Sequence, residues 1–108
     1  MKSIYPEIAT MMLELEAELR RLDLWQDQLP PEEALASTQP FCVDTLTLPQ
    51  WLQFVFLPRM RYLLEAELPL PQNCGIAPMA EEFFRGSDIG VADLIAKLQE
   101  IDTRLGQG

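Results

Sequence analysis

Two apolar stripes, one near each end of the chain, restrict what this sequence can fold into more than anything else in it. Ile8, Met12, Leu15, Leu19 and Leu22 recur at steps of 4, 3, 4 and 3, and Val91, Leu94, Leu98, Ile101 and Leu105 at steps of 3, 4, 3 and 4. A period near 3.6 places each set on one face of a helix and is incompatible with strand alternation. The first stripe predicts a helix over residues 5–25. Pro6 suits its first turn, where a missing N–H costs nothing. Glu7 near its start and Arg20 and Arg21 near its end match the helix dipole, and Glu16 with Arg20 forms a favourable i,i+4 pair. The second stripe, widened by Ile95, predicts a helix over 88–105 capped by Ser87 or Asp88 and ending before Gly106.

Between these ends lies a more apolar element. Thr47 offers an N-cap for a helix over 48–66 whose first half, Trp51 to Leu57, is apolar on every side. A short strand over 51–57 would be bracketed by Pro49 and Pro58, but Met60, Leu63 and Leu64 continue the helical period. Pro58 cannot donate to the helical ladder, which predicts a kink or short break near Leu57. Residues 68–75 read as a loop, and Pro78 opens a short helix over 78–85 that Gly86 can end.

The stretch from Gln26 to Leu48 holds Pro30, Pro31 and Pro40, room for a helical turn at 31–36, and apolar anchors at Phe41, Val43, Leu46 and Leu48. Loops this long inside a compact domain are uncommon and often functional. The predicted fold is all-α: an irregular four-helix bundle, one domain over 1–108, with a long apolar-anchored loop after the first helix and a Pro-kinked central helix.

Composition removes whole classes of chemistry. With 17 acidic and 8 basic residues the net charge is -9, the wrong sign for displacing counterions from nucleic-acid phosphates or adhering to anionic membranes. Without histidine the chain has no imidazole metal ligand and no Ser-His or Cys-His pair. The N-terminal acids exclude a secretory signal, and no apolar run is long enough to span a bilayer, so a cytoplasmic protein is expected. Cys42 and Cys74, 32 positions apart, read as two reduced, partly buried thiols. The acids show no calcium-loop spacing, the glycines are too scattered for a phosphate loop, and no nucleophile elbow is present. No catalytic residue, cofactor or metal site is expected.

One segment stands against the acidic background. From Thr45 to Leu64 there is no acid, while Arg59 and Arg61 follow Pro58. A buried helix excludes carboxylates for structural reasons alone, and its arginines would then pair with acids elsewhere. The alternative is a recognition edge, since Arg is suited to bidentate contact with carboxylate or phosphate. The candidate interaction surface is therefore Gln39, Pro40, Asp44, Arg59 and Arg61. Trp25, at the end of the first helix, either plugs the bundle or anchors a partner. Trp51, Tyr62 and Phe83-Phe84 are expected to be packing residues.

The order Ser37-Thr38-Gln39-Pro40-Phe41, Asp44-Thr45, Trp51-Leu52-Gln53 and Pro58-Arg59-Met60, with Pro69-Leu70-Pro71 and Ala77-Pro78 beyond it, resembles the YqcC-like family of small bacterial proteins. The resemblance extends over essentially the whole chain and implies an irregular all-helical, four-helix domain. It implies no activity. The family is associated by label and gene context with tRNA pseudouridine synthase C, which suggests a pathway neighbour and not shared catalysis, so Asp44 is not a catalytic aspartate.

The leading expectation is a non-enzymatic interaction or adaptor domain with an unknown protein partner. A tRNA-modifying enzyme is one candidate partner, with the chain serving as an accessory factor that touches no nucleic acid by itself. A small enzyme or small-ligand binder using a bundle pocket is the third reading, which a well-formed pocket holding convergent Asp44 and arginine side chains would favour. Either stripe could instead close a homodimer.

Overall fold

The computed structural model describes residues 4–72 and 74–106. The first stripe folds into α1 (Tyr5–Arg21), burying Ile8, Met12, Leu15 and Leu19, with Leu22 half-buried just beyond the helix. Each fully buried leucine contributes about 1.5–3 kcal/mol. α1 is shorter than the predicted 5–25. Asp23 adopts φ 62°, and the N–H groups of Asp23 and Leu24 return to the carbonyls of Arg20 (3.1 Å) and Leu19 (2.8 Å). This bond pair is a Schellman stop, whose left-handed position is ordinarily glycine. Here an aspartate fills it, and the sequence carries no stop signal.

The long connection forms α2 (Glu32–Leu35), within the expected 31–36, and a 3-10 turn at Pro40–Cys42. Leu46 and Leu48 are buried anchors, whereas Val43 is 59% exposed and anchors nothing. The central helix opens as α3 (Leu48–Trp51), capped by Thr47 as predicted: Gln50 N donates to Thr47 Oγ1 (3.3 Å) and Thr47 N to Gln50 Oε1 (2.8 Å). It passes through a π turn at Leu52–Phe56, closed by Leu57 N–H on the Leu52 carbonyl, into α4 (Leu57–Glu65). The irregularity expected from Pro58 thus falls one turn earlier, as a widened turn in a continuous helix. Proline has no N–H for, and crowds, the carbonyl four residues back, here that of Phe54 inside the π turn. α4 ends in a second Schellman stop with Glu67 at φ 54°.

α5 (Ile76–Phe83) begins two residues before Pro78, because the third helical N–H has no intrahelical partner and proline is tolerated there. Its N-cap, Gly75, takes φ 64° and has no side chain to cap with. Asp102 does so across the fold, accepting from Ile76 N at 3.0 Å and Ala77 N at 2.8 Å. Asp102 belongs to α6 (Ala92–Gly106), which starts later than the predicted 88: Ser87 Oγ caps a turn by accepting from Ile89 N (3.1 Å) and does not cap the helix.

The principal helices form an all-α, irregular four-helix bundle. α1 lies along α6 and also meets α4; α5 packs on α6 and α3, and α3 on the Pro40–Cys42 turn. The two stripes face one core, with Leu15 and Leu19 from α1, Leu52 and Met60 from the central helix, Ile76 from α5, and Leu94, Leu98 and Ile101 from α6. Surface pairs Lys97–Glu14 (2.8 Å) and Arg104–Glu7 trim the α1–α6 seam. Exposed pairs of this kind contribute little to stability.

A buried amide fixes the long loop to this bundle. Gln53, on the π turn and only 7% exposed, accepts from Gln26 N at 2.8 Å through Oε1 and donates to the Gln26 carbonyl at 2.7 Å through Nε2. Gln50 Nε2 adds a 3.3 Å bond to Gln26 Oε1. Gln53→Leu leaves both Gln26 backbone groups without their partner and is expected to cost about 2 kcal/mol, read as a lower urea midpoint at unchanged slope. Gln53→Glu loses the donor when ionised and regains it when protonated. Its folded-state pKa should therefore lie above the unfolded value, and this variant should recover stability as pH falls into the carboxylate range.

Candidate functional site

The Pro40–Cys42 turn breaks a local rule. Phe41 (φ 57°) and Cys42 (φ 49°) are both left-handed, with Val43 N donating back to the Pro40 carbonyl at 3.1 Å. Two consecutive positive-φ residues make a type I′ arrangement, for which Asn-Gly is favoured. A non-glycine residue in this region costs about 1–2 kcal/mol. The geometry delivers Phe41 onto Trp51, ring centroids 4.8 Å apart and planes at 62°, while Trp51 stacks on Phe56 at 5.4 Å and 23°. Edge-on and offset pairs of this sort are the favoured aromatic geometries.

These rings line a cleft of about 290 Å³, together with Pro40, Val55, Arg59, Met60, Pro71, Gln72 and Cys74. Trp51, Val55 and Arg59 follow one another at steps of four along the central helix. The π turn carries Val55 and Phe56, and such turns recur at functional sites. Trp51 is half-buried: it packs against the core with one side and lines the cleft with the other.

Pro40 and Arg59, 19 positions apart in sequence, meet at this cleft. Gln39, exposed, stands one residue before Pro40 with its carbonyl accepting from Cys42 N at 3.0 Å. Asp44 lines a different cleft of about 330 Å³ with Val43, Met79 and Phe83. Its carboxylate accepts from Ser37 Oγ (2.5 Å), whose oxygen in turn accepts from Gln39 N (3.1 Å), so Asp44 holds the loop together.

Arg59 and Arg61 do not form one edge. Residues two apart on a helix point about 200° apart, and Arg61 lines a groove between α1 and α4 beside Leu13, Glu16 and Glu65. Both arginines are exposed, and among the described residues neither has a carboxylate partner. Trp25 lies away from the cleft, partly buried against the core with the Arg20 guanidinium 4.5 Å above its ring. Tyr62, expected to pack, is 62% exposed, and Phe83 is exposed beside buried Phe84. Among the described residues, the cleft lined by Asp44 holds no arginine, so the convergence that would favour the ligand-binding reading is not seen there. Sequence reasoning missed the clustering of Phe41, Trp51, Phe56, Pro71 and Cys74. The steps of four from Trp51 to Arg59 are the signal that could have found part of it.

Cys42 is buried and Cys74 half-buried, both free thiols. Burial pushes the Cys74 thiol up, and the nearby Asp102 carboxylate raises it further. A raised pKa leaves less thiolate at a given pH. Cys74 is expected to alkylate with iodoacetamide at pH 8 more slowly than a free cysteine, and faster in Asp102→Asn, as site-resolved mass spectrometry would read. Alkylation at the free-thiol rate would contradict this electrostatic account. Among the described residues, no group of three or more Cys, Asp or Glu is placed to hold a metal ion, and no helix is long and apolar enough to cross a membrane.

A profile of the family DUF446, described as tRNA pseudouridine synthase C, matches residues 7–104. An uncharacterized protein of Haemophilus influenzae is 44% identical over 69 residues, which are 64% of this chain and 65% of that protein. The uncharacterized protein YqcC of Escherichia coli is 38% identical over 88 residues, 82% of this chain and 81% of that one. A protein of Pectobacterium carotovorum subsp. carotovorum named tRNA pseudouridine synthase C is 45% identical over 67 residues. That stretch is 62% of this chain and only 18% of the Pectobacterium protein, so the match leaves most of that protein uncovered. The solution NMR structure of YqcC from E. coli superposes with a TM-score of 0.81 at 32% identity, covering 97% of this chain and 90% of the other. Profile, sequence relatives and fold agree: the chain belongs to the YqcC-like DUF446 family.

Proposed function

We propose that the chain is a non-catalytic, cytoplasmic protein-interaction domain that captures its partner on the face built from Pro40, Phe41, Trp51 and Arg59. The observation that carries this reading is the unpaired, exposed Arg59 at the rim of a preformed aromatic cleft. Aromatic residues and Arg are the side chains most enriched among interface anchors. The strained turn adds to it, because backbone strain of this kind clusters at ligand clamps and switch regions. The absence of histidine speaks against the commonest acid–base chemistry.

A second reading has its own support. In the Pectobacterium relative, the matched stretch is a minor part of a longer protein named tRNA pseudouridine synthase C. In this reading the domain is an accessory to tRNA pseudouridine modification and acts through a partner enzyme. A chain of net charge -9 would make little contact of its own with RNA.

Cross-linked capture of the tagged protein from growing cells, read by mass spectrometry, tests both. One dominant partner is expected, lost with Arg59→Glu and kept with Arg61→Glu, with both variants melting within a few degrees of the parent. A partner that is a tRNA pseudouridine synthase would establish the second reading. No partner above background, or one kept by Arg59→Glu, would overturn the proposed surface.

A further inference from the structure

The chemistry of the Pro40–Trp51–Arg59 cleft says what kind of segment fits it. Its lining is aromatic and apolar at Phe41, Trp51, Val55, Phe56 and Met60, and none of its lining residues is acidic. Among the described cations, Arg20, Arg21, Arg85, Lys97 and Arg104 each pair with at least one carboxylate, whereas Arg59 and Arg61 do not. Arg61 nevertheless sits in a groove with Glu16 and Glu65. The Asp102 carboxylate near Cys74 is engaged by the Ile76 and Ala77 N–H groups. Arg59 therefore presents a guanidinium with no ion-pair partner among the described residues beside an aromatic surface, in a chain holding 17 acids and 8 bases. Such a site favours an anion joined to an apolar group.

We infer that the cleft binds a peptide segment of a partner protein in which a Glu or Asp stands within a few residues of a Leu or Phe. The carboxylate seats on Arg59, and the apolar side chain on Trp51 and Phe56. This rests on the interaction reading above and names the chemistry of the partner. Arg offers a planar fork that matches a carboxylate bidentately. The cleft, of about 290 Å³, is open to solvent on one side and suits a side chain presented by a larger molecule. A polyanionic nucleic acid would meet the repulsion of the whole chain's -9 charge; a short acidic motif brings little charge of its own. The Pro40–Cys42 turn and the contacts of Trp51 with Phe41 and Phe56 form the cleft during folding, which lowers the ordering cost of binding.

The test uses the full chain with Trp25→Phe, which leaves Trp51 as its one tryptophan. Acetyl- and amide-capped heptapeptides lacking Trp, each with one Leu or Phe and one Glu spaced one to three residues apart, are titrated against Trp51 emission. Each has a Glu→Gln twin, and 3-phenylpropionate serves as a free aromatic carboxylate. The best Glu peptide is expected to bind about tenfold more tightly than its Gln twin and than 3-phenylpropionate. In Arg59→Gln its affinity should fall to that of the twin, with the melting temperature within a few degrees of the parent.

Equal affinities for the twins, or no emission change up to about 1 mM peptide, would overturn the inference. So would an acid preference that survives Arg59→Gln, or 3-phenylpropionate matching the best peptide. A partner captured in cells through Arg59 while the twins bind equally would sink this inference and leave the interaction reading standing. No captured partner, with the twins still discriminated by Arg59, would keep the cleft's preference for an acidic and apolar segment and overturn the claim that a partner protein supplies it.

Discussion

The two hydrogen bonds between the Gln53 side chain and the backbone of Gln26 decide where the long loop begins. Without them, the chain leaving α1 at Asp23 would have few fixed points before α2. A buried primary amide that satisfies one donor and one acceptor is stabilising only while both partners stay in place. Leu24, half-buried two residues upstream, and Trp25, stacked under Arg20, hold the approach to Gln26 on the bundle. The π turn belongs to the same arrangement, because it carries Gln53 on one side and Val55 and Phe56, at the cleft, on the other.

On this frame the Phe41–Cys42 turn is held against its own preference. Two left-handed non-glycine residues cost roughly 2–4 kcal/mol together, and the surrounding contacts offset this. Cys42 is buried, Phe41 meets Trp51 edge-on, and Thr45 Oγ1 bonds the Ala34 carbonyl at 2.7 Å to close the loop behind the turn. Such strain persists where the fold over-determines it. Its product is an aromatic cluster of Phe41, Trp51 and Phe56 that shares the cleft with Arg59. The ion pairs along the α1–α6 seam are peripheral to this. Their carboxylates face solvent, whereas Lys97 is 17% exposed and covers the seam with its aliphatic stem.

What was legible in the sequence is what local periodicity encodes. The stripes of α1 and α6 gave most of their buried faces, although buried Met11 lies outside the first stripe and Leu22 and Val91 fall beyond the helices, and Thr47 marked the start of the central helix. What was not legible depends on groups far apart in the chain. The stops at Asp23 and Glu67 place acids where glycine is the usual signal, so α1 ended early without warning. Asp102 caps α5 from another helix, leaving Gly75 and Pro78 to mislead about its start. Gln53, inside an apolar run, gave no hint of its partner 27 positions away. At the site, Pro40 and Arg59 were singled out from the sequence and meet in space, but Arg61 and Asp44 face elsewhere, because helical rotation separates the first and the loop's own hydrogen bonds turn the second. Trp51 was assigned to the core by its apolar neighbours, although its position four residues before Val55 and eight before Arg59 places it on the cleft face.

The Gln53 amide fastens the Gln26 backbone to the central helix through two hydrogen bonds. Native-state hydrogen exchange of the Gln26 amide measures this directly. The Gln26 amide is expected to open at a cost at least about 2 kcal/mol above that of exposed loop amides, a protection lost in Gln53→Leu. Exchange of Gln26 at the rate of exposed loop amides, with α1 and the central helix still protected, would contradict this account.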